Sequence, residues 1–167
     1  MQYSHFLYEL NNYVWLGYVL ALLATYLLNI GNRSYYIAAI IVVISTLVML
    51  VIEPIYVSLG KDYPWFVWNF WYFTWASIDI LSALLIYMQH RKERVRFGFV
   101  SISCIITFVA LCIVQSLRHL DMVVMGTNLM ATSFKVLVNS FSIGFLVLLL
   151  HPAYSTIKHR FRKVLMQ

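Results

Sequence analysis

Residues 35–56 read YYIAAIIVVISTLVMLVIEPIY, an apolar run that meets no charge until Glu53. About 20 such residues in a helix cross the roughly 30 Å hydrocarbon core of a bilayer. A run this long and this apolar decides how the rest of the chain is read.

Four further runs of the same kind flank it. They cover about residues 13–30, 64–88, 97–117 and 122–150. Turn-like or charged segments separate them: Gly31-Asn32-Arg33-Ser34, Lys61-Asp62, His90 to Arg96, and Arg118-His119-Leu120-Asp121. The composition agrees, with 62% hydrophobic and 11% charged residues among 167 and a mean hydropathy of +0.81. A soluble domain carries about 25% charge and could not hide this much apolar surface. A soluble enzyme, a nucleic-acid-binding domain and a disulfide-rich secreted domain are thereby set aside. The expected fold class is all-α: a polytopic bundle of five transmembrane helices forming one domain, without a cleaved signal peptide, since no basic residue precedes the first apolar run.

Lys and Arg set the expected orientation. With the N-terminus outside, the inner segments carry Arg33, then Arg91, Lys92, Arg94 and Arg96, then Lys158, Arg160, Arg162 and Lys163; the outer ones carry only Lys61 and Arg118. Nine against two predicts an outside N-terminus and a cytoplasmic C-terminus in a cell membrane, with a compactness that suggests a prokaryotic inner membrane. Residues 154–167 read as a basic amphipathic tail. Ile157, Phe161, Val164 and Leu165 can dip into lipid while the cations meet anionic headgroups. The same basic face is a docking surface for a cytosolic partner in the rival reading. Lipid, not nucleic acid, is the partner that this charge distribution fits.

Ionisable groups inside the spans are the most informative positions, because such residues usually face the bundle interior or mark a path. Lys135 falls near the centre of the fifth run and Asp79 just past the centre of the third. Asn128, Thr132, Lys135, Asn139 and Ser142 follow steps of four, three, four and three, which places them on one face of a continuous helix. Trp68, Tyr72, Trp75, Asp79 and Ser82 repeat in the same way and set Asp79 beneath an aromatic wall. If the two stripes meet, Asp79 and Lys135 form a neutral pair. That pair would be a static clamp between helices or a site whose charge changes during transport. Amines from several protomers could also ring a pore. Glu53, just before Pro54, reads as an interfacial carboxylate at a helix end.

Two functions follow. The first is an oligomeric ion channel or small transporter, with a polar path lined by the third and fifth helices. The second is a non-conducting membrane subunit or sensor that grips a partner through the polar stripe and the basic face. A haem-binding electron carrier is a third: His90 and His151 lie at the inner face and His5 and His119 at the outer, but each sits beside a loop or a charged residue. No hydrolase, phosphate-loop or metal-binding motif occurs, so no catalytic residue, cofactor or metal is expected. Cys104 and Cys112 lie about 12 Å apart along one helix, too far for a disulfide, and read as small apolar residues.

Overall fold

The computed structural model describes residues 2–165, with side chains described for 13–158. It is all helical. The elements are α1 (Gln2–Leu27), α2 (Arg33–Asp62), α3 (Pro64–Glu93), α4 (Phe99–His119), a π-helical turn (Leu120–Val124) and α5 (Ala131–Leu165). Four helices are long and apolar enough to cross a membrane: α2, α3, α4 with its π extension, and α5 to Lys158. In α1 the corresponding apolar stretch, Tyr13–Leu27, is shorter.

Local chemistry fixes the joints. Asn29 takes a left-handed conformation (φ 51°) after α1, a backbone geometry that asparagine tolerates better than most residues. Asn32 then caps α2 by accepting from the Tyr35 amide at 2.8 Å. Pro64 opens α3 at a position where its missing N–H costs nothing, so Tyr63 alone joins α2 to α3. At the far end of α3, Arg94 turns left-handed (φ 53°), and the Val95 amide closes on the His90 carbonyl at 3.1 Å.

Each helix packs against its chain neighbours, and α1 closes on α5, so the bundle is a ring in which α2 and α4 also touch across the middle. Ala38 and Ala39 are fully buried and let α2 come close to its neighbours. Ile86, Cys104, Phe108, Phe145 and Leu149 fill the core around them. Gly17 does the same for α1, where an added Cβ would lie 2.9 Å from a methyl of Leu146 on α5. The outward faces are apolar too, with Ile44, Val51, Leu81, Leu85, Ile106 and Ile113 exposed. Water tolerates so continuous an apolar exterior poorly; the helices are compatible with a membrane protein.

The apolar runs mislead at three places. Helix α2 passes through Pro54 to Asp62 instead of stopping near Tyr56, and Glu53 is exposed on its outer surface. Helix α5 passes through Pro152 to Leu165, so the tail continues α5 as far as the structure describes it. Helix α5 also starts at Ala131, well after the apolar run begins at Met122. The chain from Leu120 instead winds into a π turn and a loop around Gly126, whose φ of +63° breaks the helix.

Candidate functional site

Among the described residues, four polar places bear on the candidate site, and the sequence stripes map onto them only in part.

The first is Asp79, 1% exposed in the middle of α3. Trp75 and Ser82 share its inward face, at 7% and 3% exposure. The rest of the aromatic stripe turns elsewhere: Trp68 is exposed, and Tyr72 packs edge-on against Phe134 of α5, 5.7 Å between ring centres. Trp75 instead meets Tyr56 of α2 and Trp71. Asp79 Oδ1 has no hydrogen-bond partner, and neither has Gln115 Oε1 on α4.

The second is the face of α5. Thr132 and Lys135 are exposed and Asn139 and Ser142 half-buried. Asn128 is not on this face at all. It lies in the loop before α5, where its Oδ1 accepts from Arg118 Nη2 at 2.5 Å. Lys135 is the fifth residue of α5, about 6 Å along the axis from its start, and so near the end of the span and not its centre. A lysine at that depth can extend its amine to the headgroups. The expected Asp79–Lys135 pair is therefore not formed. Helix α4 stands between α3 and α5 in the ring, Asp79 points into the core and Lys135 points out. Among the described residues the ion pairs are Arg33–Glu93 and Arg118–Asp121.

The third place was not legible as a site in the sequence. Arg118 Nη1 donates to Asp121 Oδ2 at 2.5 Å, with both side chains 7% exposed. The Asp121 carboxylate also accepts from the Thr127 hydroxyl and from the Leu129 and Met130 amides at 3.2 and 3.1 Å. The guanidinium lies 6.0 Å from the Phe134 ring centre. This cluster pulls the chain out of the helix, since one carboxylate satisfies amides that open α5.

The fourth sits at the opposite end and joins α2, α3 and α4. Ser34 Oγ lies 2.9 Å from His90 Nε2 and 2.8 Å from Ser101 Oγ, and accepts from the Gly98 amide at 2.8 Å. Ser101 donates to the Ser34 carbonyl at 2.7 Å. His90 Nδ1 lies 2.7 Å from the Ile86 carbonyl. A carbonyl only accepts, so Nδ1 carries a proton. The imidazole stacks on Phe97 at 4.5 Å. Both ring nitrogens are thus engaged, and haem ligation through His90 would dismantle the joint. A serine beside a histidine also has the outline of a nucleophile and its base. Here the serine oxygen is crowded by three partners and tied into a joint between helices. Beside it lies a cavity of about 250 Å³, lined by Asn32, Ser34, Ser101, His151 and Thr156 among others.

Arg33, Arg91, Lys92, Arg94, Arg96 and Lys158 are exposed at this same end of the bundle. Lys158 lies 6.0 Å from the Tyr154 ring centre. The side chains of His5, Arg160, Phe161, Arg162, Lys163, Val164 and Leu165 lie outside the described residues.

Compared with known proteins, the chain matches no family, no curated protein and no solved structure. The functional reading rests on its own residues.

Proposed function

We propose that the chain is a non-enzymatic transport protein of the cell membrane that works as a homo-oligomer. Copies associate through the uncovered face of α5, and Thr132, Lys135 and Asn139 line the seam between them. One observation carries this reading: α5 is the least covered of the four long apolar helices, and those three side chains find no hydrogen-bond partner among the described residues. Turned to lipid, the Asn139 amide, about 12 Å along α5 from its start, is unsatisfied; turned to a second copy, it bonds across the interface. The path therefore differs from one lined jointly by α3 and α5, because Asp79 is buried in the core and Lys135 is exposed on the outside. In this reading the N-terminus is outside and the basic end faces the cytoplasm, following the distribution of Lys and Arg.

The test is flux in liposomes that contain this chain alone. Wild-type protein is expected to carry ions across the bilayer, and Lys135→Met and Asn139→Leu to reduce the flux by about tenfold, the effect of roughly 1.4 kcal/mol. A silent wild-type chain, or a flux unchanged by both substitutions, would overturn the proposal. The first outcome would leave a subunit that needs another polypeptide.

A further inference from the structure

The Asp79 layer has a use that the α5 seam does not absorb. Helix register places its members. Ser34 meets His90 and Tyr56 meets Thr74 across α2 and α3, so Ser45 stands level with Ser82. Ser34 also meets Ser101 across the parallel pair α2 and α4, which sets Cys112 level with Ser45. Asp79 lies one turn further along α3, level with Gln115. Asp79, Gln115, Ser45 and Ser82 are all buried, at 1%, 7%, 6% and 3% exposure.

Each of these four side chains offers oxygen lone pairs, and the Gln115 amide nitrogen is the one donor group among them not tied to a backbone carbonyl. Ser45 spends its hydrogen on the Val42 carbonyl at 3.0 Å, and Ser82 on the Ile78 carbonyl at 2.7 Å. Asp79 Oδ1 and Gln115 Oε1 receive nothing. Buried acceptors are normally answered, and leaving a carboxylate unanswered in a low dielectric is costly. A proton on Asp79 would answer one acceptor. Several hard oxygens from three helices suit a larger ion, and a single carboxylate balances a single charge. The charged and titratable groups within about two turns of this layer are Glu53 and Tyr56 on α2, Tyr72 on α3, Cys112, Arg118 and His119 on α4, and Asp121 just after it; Glu53 is exposed. Arg118 is already bound to Asp121.

We propose that Asp79, Gln115, Ser45 and Ser82 form a binding site for a dehydrated monovalent metal cation of the size of Na⁺, in the core between α2, α3 and α4. The site lies within one chain and is independent of how copies associate through α5.

The experiment is carbodiimide labelling of the full-length protein in nanodiscs, with the adduct located by peptide mass mapping. This reagent modifies carboxyls in apolar surroundings, and Asp79→Asn identifies the adduct. At fixed pH and ionic strength, NaCl in place of N-methylglucamine chloride is expected to suppress labelling of Asp79 by about tenfold, about 1.4 kcal/mol of occupancy. Labelling of the exposed Glu53 should not change. Gln115→Leu, or the milder pair Ser45→Ala and Ser82→Ala, is expected to shift the protecting Na⁺ concentration upward. Labelling that responds to pH alone would show that Asp79 simply takes a proton, and would overturn the proposal. So would an absent adduct, or protection that the Gln115 and serine variants leave unchanged.

Discussion

Ser34 joins more elements than any other single side chain described above. It brings α2 to His90 of α3 and to Gly98 and Ser101 of α4 through contacts of 2.8–2.9 Å. Removing its hydroxyl strands a buried amide and an imidazole nitrogen, and an unsatisfied buried group costs about 1–3 kcal/mol. Ser34→Ala is expected to destabilise by that amount in a thermal or denaturant melt in detergent. Ser101→Ala, which leaves the Ser34–His90 and Ser34–Gly98 contacts in place, should cost about 1 kcal/mol. Equal effects would mean that Ser34 is not the hub. The sequence marked His90 only as a histidine at the end of a span. Its partner Ser34 lies 56 residues away, and Ser34 reaches Ser101 across 67 residues; hydropathy carries no trace of such pairings. Asp79, by contrast, was legible at once, because a carboxyl in an apolar run must face inward whatever its neighbours are.

At the scale of elements, the segment from Arg118 to Ala131 separates what pattern reading can and cannot see. Residues 122–125 are apolar, so the run looks like the start of a span, and a four-three spacing then seems to align Asn128 with Lys135. The chain breaks there for reasons of hydrogen bonding. Asp121 takes two amides and a hydroxyl ahead of α5, the π turn absorbs the extra residue, and Gly126 supplies a positive φ. An added Cβ at Gly126 would meet nothing within 4 Å, so the cost of Gly126→Ala is the left-handed backbone alone, about 1–2 kcal/mol. Gly144, equally open but inside α5, should gain up to about 1 kcal/mol from the same change through helix propensity. Melting the two variants side by side checks the assignment. A harmless Gly126→Ala would argue that the helix continues through 126. The starts of α2, α3 and α4 lie close to where the sequence puts them: Asn32 caps α2, Pro64 opens α3 and Gly98 precedes α4.

For the whole molecule, the sequence carried the all-helical class and the apolar segments, since each depends only on local composition. It did not carry the order of helices around the ring. Two stripes of polar residues suggested that α3 faces α5, yet periodicity gives a face and not its neighbour; α4 takes the place between them. That arrangement leaves Asp79 in the core and Lys135 outside, and divides one imagined site into two. The orientation reading is open to a direct check. Arg96→Cys and Asp62→Cys in a background with Cys104 and Cys112 replaced should differ toward a membrane-impermeant thiol reagent applied to intact cells, with only the residue-62 cysteine labelled. The reverse pattern would invert the topology.

Whether the polar face of α5 joins copies of this chain is decided by native mass spectrometry of the chain purified alone in nanodiscs. A closed homo-oligomer is expected, falling to smaller species when Lys135→Met and Asn139→Leu are combined. A wild-type monomer, or an oligomer whose stoichiometry those substitutions leave intact, would contradict it.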